Sequence, residues 1–291
     1  MKKVSRIVTI SFYILSTISL LWIMISYGFN YYTTPTEERF FNVLHNSLKP
    51  SGLIGHGYGI IGTLLILIGV SFYMLRKRFR VLSRMGLLKH WLEFHIYLCT
   101  IGPLLILFHT AFKFGGIVAI SFWSMAAVFL SGILGRFIYL QIPRSIHGNE
   151  LTFEELQLQN KSISQQITNK YQIDSSILNK IETIADIASY KSIKPGNVVI
   201  TIAKEYFSKK AILKEIKEKL TSHNIDGSER KEILKLSASK LTLVRKIGLL
   251  SAMQKLFNYW HIIHLPFALI MLIIMVIHVA VTIVFGYKWI F

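Results

Sequence analysis

Two apolar stretches of this chain carry histidine pairs with matched spacing. His95 and His109 lie fourteen residues apart in one stretch, and His264 and His278 lie fourteen apart in the other. Fourteen residues of α-helix turn through about 1,400°, which is within about 40° of whole turns, and rise about 21 Å. Each pair is therefore expected on one face of its helix, with its members near opposite faces of a membrane.

An imidazole inside a membrane span is expensive to bury and marks a functional site by default. Histidine nitrogens ligate haem iron, and facing helices of a bundle hold such groups between them. If the two helices run parallel, His95 faces His264 near one membrane face, and His109 faces His278 near the other. This arrangement predicts both axial ligands for each of two stacked b-type haems. A metal-free histidine relay for protons is the alternative from the same residues.

His261 competes with His264 as a ligand. It lies one helical turn earlier and seventeen residues from His278, which matches the other pair less well. The spacing favours His264 and leaves His261 for a haem propionate or for backbone at the interface. Pro103 and Pro266 lie inside these stretches and could kink either helix.

The composition predicts an all-α integral membrane helix bundle. Of 291 residues, 52% are hydrophobic, and the mean hydropathy is +0.47. A hydrocarbon core about 30 Å thick requires about 20 apolar residues of helix, in which the backbone satisfies its own hydrogen bonds. Five predicted spans meet this length: 7–27, 53–75, 91–112, 117–140 and 258–286.

The placement of charge predicts the orientation. The net charge is +18, which in a soluble protein would suggest nucleic acid. Here the basic residues precede the first span and fill the short loop after the second, so we predict no nucleic-acid partner. The positive-inside rule then gives a cytoplasmic N-terminus and an outer C-terminus, in a bacterial-type inner (cytoplasmic) membrane. The first span is too long for a signal peptide and lacks a cleavage site, so we expect it to be retained.

Three regions follow from this pattern. Residues 1–140 hold the first four spans, 141–257 form a cytoplasmic insert, and 258–291 supply the fifth span and complete the haem-binding bundle. Apolar residues recur at three- and four-residue spacing in the insert, which predicts amphipathic helices. Thr152 and Glu155 are spaced as a capping box at the start of one of them. The basic insert carries no dinucleotide fingerprint or phosphate-binding loop, and its charge suits docking of an acidic electron carrier or subunit.

The histidine pattern resembles the di-haem membrane cytochromes b of the ferric-reductase-like group, which includes the NADPH oxidase membrane domains. That group carries histidines about fourteen apart on its third and fifth spans, and "WHIIHLPF" followed by "HV" at 278–279 looks like its fifth span. The resemblance implies axial ligation of two haem b by His95, His109, His264 and His278, and electron transfer across the membrane. The flavin and NAD(P)H domains usual in the group have no counterpart in these motifs, so we expect electrons from another subunit, a soluble carrier or a quinol.

Other polar residues near the predicted spans are candidates for the haem surroundings. Arg136 and Arg144 could pair with propionates at the inner level, and Lys113 at the outer one, although each also suits topological anchoring. His56 lies near the level of His109 and could contact a propionate, a quinone or an external acceptor. Glu93 could pair with an arginine of the basic loop or handle protons at an inner quinone site.

Small residues in the second and third spans favour packing roles. Gly55, Gly62 and Gly69 recur every seven residues, and the stripe allows close approach of a helix or of a flat macrocycle. Cys99 is most simply a packing residue, since one cysteine builds neither a disulfide nor a cluster site.

The sequence therefore predicts an electron-transfer subunit of an oxidoreductase, with one redox partner on each side of the membrane; the outer one could be a cytochrome. The first alternative is a quinol-oxidising cytochrome b subunit of a larger respiratory complex. The second is a metal-free, proton-coupled transporter that uses the histidines as a relay.

Overall fold

The computed structural model describes residues 2–79, 81–82, 85–143, 150–171, 195–222 and 227–285. No β-strand occurs among these residues, which are helical apart from turns and short connections, including 3-10 turns at Arg39–Phe41 and Pro195–Asn197. The α-helices of the described ranges are α1 (Lys2–Thr33), α2 (His45–Leu48), α3 (Leu53–Arg78), α4 (Leu88–His109), α5 (Gly116–Gln141), α6 (Phe153–Tyr171), α7 (Val198–Ser222) and α8 (Gly227–Val284).

Five helical segments are long and apolar enough to cross a membrane, which confirms the all-helical class and the five predicted spans. They are Ser5–Thr33, His45–Arg78, Leu88–His109, Val118–Gln141 and, within a longer helix, part of Gly227–Val284. A helix of 58 residues is about 87 Å long, so only its apolar C-terminal part is needed for the fifth span. The orientation and the side on which the insert lies stay predictions.

The chain divides into two compact units. We call Met1–Ile133 with Ile263–Phe291 the membrane unit, and Leu134–Ile262 the insert unit. Both prolines of concern lie within continuous helix, Pro103 in α4 and Pro266 in α8.

Glycines on α3 allow α4 to pack closely against it in the membrane unit. A Cβ atom built on Gly62 would lie 2.8 Å from the carbonyl oxygen of Gly102, and one on Gly69 would lie 3.0 Å from the Cβ of Leu98. Side chains larger than hydrogen would push the helices apart at both points. The seven-residue stripe therefore serves helix packing at Gly62 and Gly69, the first of its two predicted uses.

The connection between α1 and α3 is fixed to the end of α4 by a buried arginine. The Arg39 guanidinium donates hydrogen bonds to the carbonyl oxygens of Tyr32, Thr34 and Ala111. Ala111 and Phe112 have φ values of 47° and 59°, a left-handed conformation that side-chain-bearing residues adopt rarely. Arg39 thus holds the turn that directly follows His109.

The insert unit is helical, as predicted, and has its own apolar core. The core residues come from the connection after α5 and from α6, α7 and α8: Ile142, Leu156, Val198, Ile247, Leu249, Leu250 and Met253. The predicted capping box opens α6. The Thr152 amide donates to Glu155 Oε2 at 2.8 Å, and the Glu155 amide donates to Thr152 Oγ1 at 3.2 Å.

Candidate functional site

The two histidines of α4 both turn towards α3. His95 Nδ1 lies 3.1 Å from the carbonyl oxygen of Gly69, and His109 Nδ1 lies 2.8 Å from that of Gly55. Both imidazoles are half-buried. The pair therefore shares one face of α4, as its spacing predicts.

These hydrogen bonds determine which ring nitrogen is available to a metal. A carbonyl oxygen only accepts, so Nδ1 of His95 and of His109 must carry the hydrogen. In the neutral ring the lone pair is then on Nε2. The hydrogen bonds that these two side chains make to other described residues all involve Nδ1. Metal-binding histidines in proteins are oriented in this way.

Neighbouring residues shape the space around each α4 imidazole. A Cβ atom on Gly59 would lie 2.8 Å from His109 Nδ1, so a larger residue cannot stand there without displacing the ring. The ring of Tyr73 stacks on His95, with centroids 5.3 Å apart. The Cys99 Sγ atom lies 3.5 Å from His95 Nδ1. Both rings are therefore held by the packing of α3 against α4.

The histidines of α8 also share one face of their helix. From 264 to 282 the residues that are half-buried or buried follow helical spacing, and the positions between them are exposed: His264, Ala268, Met271, the adjacent Ile274 and Met275, His278 and Thr282. Pro266 does not disturb this phase. His264 and His278 therefore both face the inside of the membrane unit.

His264 is oriented by a serine of α5. Its Nδ1 lies 2.6 Å from Ser131 Oγ, and the same hydroxyl donates to the carbonyl oxygen of Val128 at 2.9 Å. A hydroxyl has one hydrogen, so both bonds are satisfied together only when His264 Nδ1 is the donor. His264 then has the same tautomer as His95 and His109.

His261 is placed differently from His264. It is exposed, and its Nδ1 lies 3.0 Å from the carbonyl oxygen of Phe257, one turn earlier in α8. Its ring contacts Phe257 and Trp260. His264 is half-buried whereas His261 is exposed. This difference agrees with the preference for His264 that the spacing indicated.

Three histidines meet at one level of the membrane unit. The rings of His56 and His109 are 6.2 Å apart, and charge on His56 or His278 acts on His109. Charge on His56 also acts on His278. His56 and His109 are therefore neighbours, and His278 is near enough to both for its charge to matter. At the other predicted level, His95 and His264 have separate hydrogen-bond partners, on α3 and α5.

Histidine side chains are the donors that a metal or a haem at this place would use. Within the described ranges, no cluster of three or more histidine, cysteine or acidic side chains could hold a metal. Two imidazoles suffice for haem, because the porphyrin supplies the remaining four nitrogens to iron. The Nδ1–H bonds of His95, His109 and His264 suit axial ligation through Nε2.

The remaining candidates lie outside these pairs. Arg136 belongs to the insert unit, where its guanidinium lies over the ring of Tyr139 at 5.6 Å. Lys113 is exposed in the turn after α4, and Arg144 is outside the described residues. Glu93 accepts a hydrogen bond from Arg6 at 2.7 Å. Glu93 thus pairs with an arginine, but the partner is Arg6, which precedes the first predicted span, and not the predicted loop arginine.

Ser131, Gly59 and Arg39 are residues whose contribution the sequence reading did not identify. Ser131 is a polar residue in an apolar span, which is a usable signal, since such hydroxyls often bond between membrane helices. Gly59 lies one turn from Gly55, but outside the seven-residue stripe. Arg39 lies in a loop, where its sequence context gives no sign of the buried contacts that it makes.

The fold and the site define an all-helical protein with five candidate membrane spans and two inward-facing histidine pairs. Comparison with known protein families, curated proteins and solved structures finds no match. The resemblance to the di-haem cytochromes b therefore stays a prediction carried by the histidine pattern.

Proposed function

We propose that this protein carries electrons across a membrane through two b-type haems. His95 and His264 would hold one haem, and His109 and His278 the other. The observation that carries the proposal is the shared orientation of His95, His109 and His264, whose Nδ1 atoms each face an acceptor on a neighbouring helix. Such bonds fix the ring and raise the basicity of Nε2.

Haem iron held by two imidazoles supplies one-electron transfer and has no open position for oxygen. The residues of this chain orient the imidazoles that would hold the haems. Backbone carbonyls of Gly55 and Gly69 and the Ser131 hydroxyl set the tautomers. The close contact of α3 with α4 keeps the rings of His95 and His109 in place. The two levels on each helix are about 21 Å apart along its axis, which divides the passage across the membrane into two stages.

The basic loop after α3 supports an orientation with a cytoplasmic N-terminus and a cytoplasmic insert. Within the described ranges, residues 76–78 at the end of α3 and Lys89 at the start of α4 contribute four cations to this region. In this orientation His95 and His264 lie near the cytoplasm, and His109 and His278 near the outer face. We propose a redox subunit, an acidic carrier or a quinol as the electron donor or acceptor on the inner side.

A metal-free proton relay fits the same residues less well. A relay requires each imidazole to take up a proton on one nitrogen and release it from the other. The Nδ1 hydrogens of His95 and His109 instead point at backbone carbonyls, which have no proton to exchange. The meeting of His56, His109 and His278 is the one feature that a relay would use.

The experiment is a reduced-minus-oxidised visible spectrum of the purified full-length protein, with haem quantified per chain. We expect two b haems per chain, and one in each of the variants His95→Ala, His109→Ala, His264→Ala and His278→Ala. His261→Ala is the matched control, because His261 is an exposed histidine of α8, and should keep both haems. Protein without haem, made in cells that insert haem into other cytochromes, would contradict the proposal.

A further inference from the structure

Two cations of α8 contact the C-terminal end of α5 in the insert unit, and a third cation lies near them. Lys246 Nζ donates to the carbonyl oxygen of Leu140 at 3.2 Å, and Arg245 Nη2 donates to Gln141 Oε1 at 3.2 Å. Lys209, on α7, donates to the Thr242 hydroxyl, one helical turn from this pair. The positive charge of Arg245 acts on Lys209. Two helices thus direct cations to one place.

The two lysines have no acidic partner within the described ranges. Their hydrogen bonds go to a carbonyl oxygen and a hydroxyl, neither of which neutralises charge. Burial, and then the charge of Arg245, lowers the pKa of Lys209 below its usual value. A bound anion would relieve both effects, because it replaces lost hydration and offsets the repulsion between cations.

The favourable interaction of cations with the C-terminal end of α5 explains the position of one member of this cluster. Cations near a helix C-terminus are favoured by the helix dipole, and Lys246 bonds one of the last carbonyls. Lys209 and Arg245 bond side chains instead, so the dipole does not explain their convergence.

The cluster lies where an apolar span ends. The segment Val118–Gln141 is a candidate span, and its last residues are the ones that Arg245 and Lys246 contact. Aromatic rings adjoin this end within the insert unit. Phe257 contacts Tyr139 and stacks on Trp260, with centroids 6.3 Å and 5.3 Å away. Aromatic and basic residues together are typical of the membrane–water interface.

We propose that Lys209, Arg245 and Lys246 bind the phosphate group of an anionic phospholipid at the membrane face where α5 ends. Ammonium and guanidinium groups donate charge-assisted hydrogen bonds to phosphate oxygens. Basic pockets at the ends of membrane helices bind anionic headgroups in this way. The site does not depend on the haem proposal and would exist in a protein without haem.

The experiment compares lipid binding by the full chain in nanodiscs that contain phosphatidylglycerol or phosphatidylcholine, with retained lipid counted by native mass spectrometry. The wild type should retain phosphatidylglycerol preferentially. The double variant Lys209→Gln, Lys246→Gln keeps a hydrogen-bond donor at each position but removes both charges. We expect it to bind phosphatidylglycerol about 25-fold more weakly, at about fivefold for each cation.

The matched control is Lys210→Gln, Lys214→Gln, which removes the same charge from exposed positions of α7 and should bind like the wild type. Equal weakening in the two double variants, or no preference for phosphatidylglycerol in the wild type, would overturn the proposal. Displacement of the lipid by millimolar inorganic phosphate would assign the site to a soluble phosphate instead. Lys209→Arg, Lys246→Arg keeps the charges, so loss of binding in that folded variant would also contradict the assignment.

Discussion

His109 donates its Nδ1 hydrogen to the carbonyl oxygen of Gly55, 2.8 Å away on the neighbouring helix. Fourteen residues away on both helices, His95 makes the equivalent bond to Gly69. Midway between them, Gly62 lies against the Gly102 carbonyl. Two antiparallel helices can pair three such positions in succession only if the positions are equally spaced along both helices. The glycine stripe and the histidine pair are therefore parts of one interface, in which close packing supplies the acceptors for the imidazoles.

We expect Gly59→Ala to remove the haem that we propose for His109 and to leave the other. The added Cβ would lie 2.8 Å from His109 Nδ1, so the ring must turn away and lose its bond to Gly55. Haem quantified per chain should fall from two to one. Gly132→Ala is the control, because a Cβ there meets no atom within 4 Å. That variant should keep both haems and gain about 0.5–1 kcal/mol in unfolding free energy, since alanine favours helix. Equal haem content in the two variants would contradict the role of Gly59.

Ser131→Ala should raise the reduction potential of one haem and weaken its binding. Without the hydroxyl, the His264 Nδ1–H loses its acceptor and the imidazole becomes a weaker donor to iron. Oxidised iron is then stabilised less, and loss of such a partner typically weakens metal binding by about 10–100-fold. A potentiometric titration of both haems measures the change.

Ser121→Ala is the control for that variant. Ser121 lies on the same helix and donates to the Met271 carbonyl on α8 at 3.2 Å, a hydrogen bond to backbone rather than to a histidine. Its haem potentials should match those of the wild type. An unchanged potential in Ser131→Ala, with both haems present, would mean that Ser131 does not orient a ligand.

Thr152→Ala should destabilise the insert unit without changing haem content. It removes the acceptor for the Glu155 amide at the start of α6, which typically costs about 1 kcal/mol of unfolding free energy. Thermal unfolding followed by circular dichroism measures the loss. Glu154→Ala is the control, because Glu154 is exposed in the same helical turn and takes no part in the capping box. Loss of haem in Thr152→Ala would mean that the insert supports the histidine site.

Local patterns in the sequence predicted the spans and the faces of the histidines, because spacing along a helix determines which residues share a side. The limits of α8 were not predictable in this way. The amphipathic stretch after Gly227 and the apolar stretch from 258 have no proline or glycine break at their junction, so one helix continues through both. Composition marks where a membrane span begins, and it does not mark where a helix begins.

Contacts between distant residues account for what the sequence did not reveal. Ser131 and His264 are 133 positions apart, and Arg39 and Ala111 are 72 apart. No periodicity relates the members of these pairs, since each depends on how separate helices pack. The histidine spacing identified the candidate ligands, whereas the residues that orient them became apparent only from tertiary contacts.

Arg39→Ala should lower stability and release the haem ligated by His109 before the other. The substitution leaves the carbonyl oxygens of Tyr32, Thr34 and Ala111 without their donor, which should cost about 3 kcal/mol. The left-handed turn at Ala111 and Phe112 directly follows His109, and it then loses its hydrogen bond to the α1–α3 connection. Arg39→Lys should not restore the wild-type behaviour, because an ammonium lacks the planar fork of the guanidinium.

This order of loss is tested by measuring how much of each haem stays bound during thermal unfolding. The absorbance is followed at wavelengths that separate the two haems. Lys49→Ala is the matched control, since Lys49 is a cation of the same connection and bonds only the Asn46 side chain, at 3.2 Å. It should behave like the wild type. Arg39 belongs to the α1–α3 connection, and its hydrogen bond near this level goes to Ala111, two residues beyond the end of α4. Simultaneous release of both haems in Arg39→Ala would therefore show a general loss of stability, and the specific link between Arg39 and the His109 level would be wrong.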